Sequence, residues 1–198
     1  MRPLLLLLAA CSAKPQGADT SAGGGPDLTD DSGGPVDSGD DGSDPAYDPW
    51  AAIDPDHCED APGFESLAGA TAYFIGEYSR SGGALSGVET AAYYATAEWA
   101  AAGGADCLVV WSVSGSEGSC SGGCAFTMEV QATLDTAATT CPTALWAGSE
   151  AWSATYAVAV GAEGAATFSF EGSSSTFAEG VASATSVTFL TPPACEWF

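Results

Sequence analysis

The amino-acid sequence predicts an all-β domain, either an antiparallel β-sandwich or a small closed β-barrel of about seven or eight strands, with at most one short helix. Two observations predict this class: apolar and polar residues alternate with a period of two, and glycine-rich turns separate the alternating segments. A third is the set of cysteines spread through the same segment, which predicts stabilising disulfides. The domain spans residues 50–198, which is long enough to bury a sizeable core.

The two clearest strands lie in the second half of the chain. The strand predicted at residues 125–135 has one apolar face, made of Phe126, Met128, Val130, Ala132 and Leu134. Residues 152–160 alternate in the same way, and a turn at residues 161–164 leads into a further strand at residues 167–170. These last two strands are expected to form a β-hairpin.

The remaining elements are predicted from shorter patterns. Weaker alternation indicates strands at residues 70–78, 90–95, 106–113 and 185–190. Residues 108–113 are apolar on both faces, which is typical of a central strand. A short helix is expected over residues 97–102, because Thr96 is a favourable N-cap and Gly103 can end the helix.

The chain has seven cysteines. Six remain when Cys11, which ends the apolar N-terminal leader, is set aside. In an exported protein this remainder predicts three disulfides, although the sequence leaves many pairings open. The pairing that best fits the predicted strands clamps one hairpin tip, joins two strand ends and ties the domain termini together, as Cys120–Cys124, Cys107–Cys141 and Cys58–Cys195. A zinc site is disfavoured because only one close cysteine pair exists.

The first eleven residues have the pattern of a secretion signal. Arg2 precedes an apolar run at residues 4–10, and small residues stand directly before Cys11. The run is too short to span a membrane as a helix, which needs about 20 residues. The segment resembles the lipobox of bacterial lipoproteins. That resemblance implies that residues 1–10 are a cleaved signal peptide, that Cys11 is lipidated, and that Ser12 directs the protein to the outer membrane of a two-membrane bacterium.

Residues 11–49 are expected to form a disordered tether behind the lipid. They are rich in Gly, Ser, Pro and Asp and have too few apolar residues to offset the entropy of ordering. A flexible chain of this length spans on the order of 35 Å. The whole sequence has a formal net charge of −23, which opposes binding to nucleic acid or to anionic lipid surfaces.

Two acidic clusters are candidate cation sites. The tether contains weak calcium candidates at Asp37, Asp40, Asp41 and Asp44, but their spacing departs from the EF-hand loop and no glutamate closes it. Residues 54–60 combine acidic side chains with His57. A solvated linker and a charged domain edge are the favoured interpretations, so neither a metal nor another cofactor is expected.

No catalytic motif is present in the chain. The single histidine is His57, and the sequence has no nucleophile elbow, zinc-protease motif or phosphate-binding loop. Carboxylates are available for acid–base chemistry at Glu77, Glu98, Glu117, Glu129, Glu150, Glu163, Glu171 and Glu179. Because most of these are expected at turns or on exposed faces, the protein is not expected to be an enzyme.

The sequence therefore favours a membrane-anchored surface or periplasmic lipoprotein with a non-enzymatic binding or structural role. The alternative is a carrier of a small apolar ligand inside a lipocalin-like barrel, and a carboxylate-dependent hydrolase is a third, weaker hypothesis. Trp99 and Trp146 are weak binding candidates because they fall in irregular segments. The lipid supplies contact with the membrane, and the sequence does not identify a protein or glycan partner. Trp197 and Phe198 are expected to dock in the core.

Overall fold

The computed structural model describes residues 47–59, 61–62, 68–121 and 123–197. The predicted signal peptide, Cys11, almost all of the tether and the four calcium candidates (Asp37, Asp40, Asp41 and Asp44) lie outside these residues. The strands are β1 (Gly69–Ser81), β2 (Ala84–Ala95), β3 (Cys107–Gly118), β4 (Phe126–Leu134), β5 (Ala151–Val160), β6 (Ala165–Phe170), β7 (Thr176–Ala182), β8 (Ser186–Leu190) and β9 (Ala194–Trp197). The short α-helices are α1 (Ala97–Ala101) and α2 (Thr143–Trp146).

The first eight strands form a closed antiparallel barrel, which decides between the two predicted architectures. Each strand pairs with the next one along the chain, and β1 closes the barrel by pairing with both β2 and β8. The long strand β1 also has room for one more partner. Its end at Gly69–Ala72 pairs with β9, whereas Ile75–Ser79 pairs with β8. The fold is thus an up-and-down barrel with one additional strand.

The pairing register determines which side chains point into the barrel. Across neighbouring strands Gly76 lies opposite both Glu89 and Phe189, and Glu89 lies opposite Trp111. A Cβ atom at Gly76 would overlap the ring of Phe189, so this glycine makes room for the phenylalanine.

The outer face of β1 is covered by residues 47–59. The Trp50 Nε1 atom donates to Glu77 Oε2 at 3.3 Å, and the Cys58 amide donates to Thr71 Oγ1 at 3.1 Å. Tyr73 Oη accepts from the Asp54 amide at 3.0 Å. This cover explains why Thr71, Tyr73 and Ile75, on the outer face of β1, are buried although β1 belongs to a barrel of half-buried strands.

The three disulfides join the pairs expected from the sequence. Cys120–Cys124 lies at the tip of the β3–β4 hairpin, and Cys107–Cys141 ties the start of β3 to the segment after β4. Cys58–Cys195 links residues 137 positions apart, so it joins the two ends of the described domain. This long loop is the type of cross-link that most restricts the unfolded chain.

The structure adds elements that the sequence did not reveal. Strands β7 and β9 and helix α2 were not predicted, and β2 begins at Ala84 rather than at residue 90. Helix α1 is present with Thr96 as its N-cap, whose side chain accepts from the Trp99 amide at 3.3 Å. The expectation that Trp197 docks in the core is wrong, because it is 56% exposed on β9. Phe198 lies outside the described residues.

Candidate functional site

One mouth of the barrel is closed by Arg80, and we call it the arginine mouth. Arg80 lies near the end of β1, and its Nε and Nη2 atoms donate to the two carboxylate oxygens of Glu117 at 2.7 and 2.8 Å. Its Nη1 atom donates to the Ser183 carbonyl, and the guanidinium lies 4.3 Å from the ring centroid of Phe126. One side chain therefore connects β1, β3, β4 and the β7–β8 turn.

The opposite mouth is covered by the segment between β4 and β5, which contains α2. The indole Nε1 of Trp111, an inward-facing residue, donates to the Ser149 carbonyl at 2.7 Å. Leu145 and Trp146 are half-buried against the core, and Trp146 Nε1 donates to the Cys141 carbonyl at 3.1 Å. The Cys107–Cys141 disulfide holds this segment to β3.

Glu89 lies between the two mouths, on the inner face of β2, and is completely buried. The hydroxyl groups of Tyr78 and Tyr156 both donate to its Oε1 atom, the second at 3.2 Å. Its Oε2 atom is buried without a hydrogen-bond partner. Burial raises the pKa of the Glu89 carboxyl well above its ordinary value of 4.5, although the Tyr156 hydrogen bond opposes the increase.

Aromatic rings surround this carboxyl group in a continuous set of contacts. Phe189 lies 6.2 Å from Tyr78, 6.0 Å from Tyr156 and 6.1 Å from Phe74, measured between ring centroids. Phe74 in turn lies 6.2 Å from Trp111 and 6.3 Å from Trp152. We call this group the Glu89 site, and it consists of Glu89, Tyr78, Tyr156, Phe189, Phe74, Trp111 and Trp152.

The Glu89 site contains a second buried polar atom that lacks a partner, the indole Nε1 of Trp152. Trp152 packs edge-on against Trp111 at 6.2 Å, and Trp111 is the cross-strand partner of Glu89. Buried polar groups are nearly always hydrogen-bonded, because leaving one unpaired costs about 1–3 kcal/mol. The Glu89 site therefore contains two buried polar atoms that have no hydrogen-bond partner among the described residues.

Three inward-facing rings keep part of their surface accessible. Phe74, Trp152 and Phe170 face the interior by register, yet each is only partly buried. Phe189, Phe168 and Tyr156, which also face inward, are in contrast buried.

The residues that the sequence predicts as sites are not members of the Glu89 site. Trp99 and Trp146 are half-buried against the core, with Trp99 lying over Gly104. In the first part of the acidic cluster, Glu59 Oε1 accepts from the Ala97 amide at 2.6 Å. Within the described ranges, no group of three histidine, cysteine or acidic side chains is placed to hold a metal ion. Asp60 lies outside those ranges.

Glu89 was missed by the sequence reasoning, although a signal for it exists. The weaker strand was predicted to begin at residue 90, so Glu89 fell just outside it. When the strand is extended back to Ala84, Glu89 has the same parity as Leu85, Ala91 and Tyr93, all of which are buried. A glutamate on the apolar parity of a strand is therefore the pattern that indicates this site.

A separate open groove of about 660 Å³ lies on the outer surface of β3, β4 and β5. Its lining includes the polar side chains of Ser114, Ser116, Glu129, Gln131, Ser153 and Thr155. Most of these side chains already reach solvent. The groove therefore differs from the Glu89 site, where unpartnered polar atoms are buried among rings.

Comparison of the chain with protein-family models, with curated proteins and with solved structures finds no match. In the part of the chain that the structure describes, no helix combines the length and the apolar character needed to cross a membrane. The case for a function thus depends on the geometry of the barrel itself.

Proposed function

We propose that this protein is an exported, lipid-anchored binding protein that holds a small, largely apolar molecule inside its barrel at the Glu89 site. The observation that carries the proposal is the pair of buried, unpartnered polar atoms, Glu89 Oε2 and Trp152 Nε1, within one cluster of aromatic rings. A bound molecule would satisfy both atoms and cover the accessible surfaces of Phe74 and Trp152.

The dimensions and composition of the barrel support this proposal. An eight-stranded barrel encloses an interior that is either filled by side chains or able to hold one small ligand. Small-molecule sites in proteins are typically lined by apolar and aromatic groups with a few placed polar atoms. The Glu89 site has this composition, since six of its seven members are aromatic rings and its carboxyl group is held by Tyr78 and Tyr156.

A binding role is preferred to a catalytic one because Glu89 has no acid–base partner nearby. Its hydrogen-bond partners are two tyrosine hydroxyl groups. Glu117, a second inward-facing carboxylate, is committed to Arg80 at the arginine mouth, and Glu196 lies opposite Ala70 on β9, outside the eight-stranded barrel. Paired carboxylates for hydrolysis therefore do not converge in the described part of the barrel.

The proposed location rests on the leader and the disulfides. The leader carries a lipobox-like sequence ending at Cys11, and the three disulfides are consistent with an oxidising compartment. In this proposal Cys11 anchors the protein to the outer membrane, and the acidic tether lets the barrel reach beyond the lipid headgroups. Membrane fractionation tests the anchor: C11A should move the protein to the soluble fraction, and full retention in the membrane fraction would refute it.

Binding inside the barrel is tested with the fluorescent apolar probe phenylnaphthylamine. Ala154 faces inward between Trp152 and Tyr156, and Ala157 faces outward on the same strand, so A154L and A157L form a matched pair. We expect the wild-type protein and A157L to bind the probe equally, and A154L to bind it at least tenfold more weakly because the leucine fills the interior. Circular dichroism checks that both variants are folded. Absence of probe binding by the wild type, or equal loss in both variants, would contradict the proposal.

A further inference from the structure

We propose that the Glu89 site selects a neutral ligand that carries a carbonyl-type hydrogen-bond acceptor, such as an aromatic ketone, ester or lactone. This inference rests on the proposed binding function and specifies the ligand class of the same site. It follows from counting the hydrogen-bond donors and acceptors that the site has already used, and from the absence of a counter-charge for Glu89.

The hydrogen bonds of Glu89 distinguish its two oxygens. Tyr78 and Tyr156 both donate to Oε1, which fills the two lone pairs of a carbonyl oxygen. Oε2 is the remaining position for the acid proton, and there the hydroxyl group points to no acceptor. A protonated Glu89 therefore presents one unused donor, and the raised pKa of this carboxyl group agrees with that state at neutral pH.

The second unused atom is a donor as well. An indole Nε1 carries a hydrogen and has no lone pair to accept with, so Trp152 can only donate. Both unpartnered atoms of the Glu89 site thus call for an acceptor on the ligand. An oxygen of the carbonyl type has two lone pairs and accepts one or both of these hydrogen bonds.

The charges near the site argue against a cationic ligand as its natural occupant. Arg80 is the only lysine or arginine in residues 47–198, and it is held at the arginine mouth by Glu117 and the Ser183 carbonyl. Glu89 has no positively charged partner that keeps it ionised in an apolar interior. An ammonium ligand would need Glu89 to ionise and would still leave the Trp152 donor unsatisfied.

The rings determine the shape of the rest of the ligand. Trp111 neighbours both residues that supply the donors, because it is the cross-strand partner of Glu89 and packs edge-on against Trp152. Phe74 contacts Trp111 and Trp152 and keeps accessible surface. A flat apolar body beside the acceptor would cover these rings, which is the usual manner in which aromatic walls hold a ligand.

Three naphthalene probes of similar size test this ligand class by titration calorimetry. Acetylnaphthalene carries a carbonyl group, isopropenylnaphthalene replaces that oxygen by a methylene group, and naphthylethylammonium carries a positive charge. We expect the ketone to bind roughly tenfold more tightly than the alkene, and the ammonium probe to bind most weakly. Equal binding of ketone and alkene, or preference for the ammonium probe, would overturn the ligand class while leaving the binding function intact.

Variants assign the preference to the two donors. W152F removes the indole N–H and should reduce the preference for the ketone over the alkene several-fold, whereas W197F, on exposed β9, should leave it unchanged. E89Q keeps an N–H donor at the Oε2 position and should retain the preference. If E89Q instead abolishes it while the variant stays folded, Glu89 acts as an anion and the inference fails. If none of the three probes binds the wild type, the proposed binding function itself fails.

Discussion

The centre of the barrel and its arginine mouth each contain an inward-facing glutamate. The pKa values of these two glutamates are shifted in opposite directions and by different causes. Glu89 and Glu117 lie on the neighbouring strands β2 and β3. Burial raises the pKa of Glu89 well above its ordinary value, whereas the hydrogen bond from Arg80 lowers the pKa of Glu117. The pKa of the same residue type is therefore shifted in opposite directions at the centre and at the mouth.

This difference shows where the structure is complete. At the arginine mouth both oxygens of Glu117 accept from Arg80, so this pair needs no further partner. At the centre, Glu89 Oε2 and Trp152 Nε1 still lack hydrogen bonds. The polar atoms of the ion pair at the mouth are thus satisfied, whereas two at the centre are not. Substitutions in the two regions should differ accordingly in size and in pH dependence.

The largest expected effect is the loss of a ring at the centre. Phe189 is fully buried and contacts Phe74, Tyr78, Tyr156 and Phe168, so F189A should lower the free energy of unfolding by about 3–5 kcal/mol. The matched change at the mouth is F126A, where the ring is half-buried, and its cost should be roughly half as large. Urea unfolding curves measure both. Equal costs would mean that the mouth is packed as tightly as the centre.

The second-largest expected effect is the contribution of Glu89 to the pH dependence of the free energy of unfolding. Between the ordinary pKa of 4.5 and the higher pKa of Glu89 in the folded protein, the folded state holds a proton that the unfolded state has lost. The free energy of unfolding therefore falls as pH rises through this window, with a slope of up to about 1.4 kcal/mol per pH unit from this residue. E89Q cannot titrate, so its stability relative to the wild type should increase above pH 4.5.

Glu117 should show the opposite dependence and serves as the control. Its pKa is lowered by Arg80, so its stabilising contribution is present above pH 4.5 and is lost as pH falls through its folded pKa. Relative to the wild type, E117Q should therefore lose stability above pH 4.5 and approach the wild type in acid. Unfolding curves collected from acid to neutral pH compare the two variants. A parallel dependence for E89Q and E117Q would refute the contrast between centre and mouth.

A smaller effect is expected for the tyrosine that holds Glu89. Y156F removes the hydrogen bond to Oε1 while keeping the ring, which also packs against Phe170 and Phe177. The expected cost is about 1 kcal/mol, and the pKa of Glu89 should rise further because Tyr156 opposes the effect of burial. Thermal unfolding measures the cost. In the background of E89L, which removes the acceptor, Y156F should be nearly neutral, and an unchanged cost there would deny the coupling.

Much of this fold follows from the alternation of apolar and polar residues, and the failures have physical causes. In β4 and β5 each inward residue is apolar, so the period of two is visible. The pairing of β7 with β6 shifts in register near Ser169 of β6. In β7 itself, the consecutive residues Phe177 and Ala178 are both buried. This irregularity hides the period. Strand β9 was missed because two prolines precede it and its four residues are too short to show a pattern.

The candidate site was harder to predict than the fold. Cysteine positions indicated the disulfides because predicted strand ends and turns brought the pairs together. The Glu89 site instead depends on contacts among β1, β2, β3, β5 and β8, which only the closure of the barrel creates. Sequence alternation assigns Trp152 to an inner face, and it assigns Glu89 to one only when β2 is extended back to Ala84. It does not reveal that Tyr78 and Tyr156 use the same carboxylate oxygen and leave the other without a partner.

The smallest expected effect concerns the ion pair at the arginine mouth. The Arg80 and Glu117 side chains are 17% and 19% exposed, so solvent screens part of their attraction. A double-mutant cycle with R80M and E117Q should give a coupling of about 1 kcal/mol or less. Methionine retains an apolar stem over Phe126, which separates the loss of charge from the loss of packing.

Added salt should weaken the coupling of this pair, because ions screen partly exposed charges. The pH dependence assigned to Glu89 should change little with salt, because its cause is burial rather than a charged partner. A coupling well above 1 kcal/mol that resists salt would mean that the mouth is as desolvated as the centre.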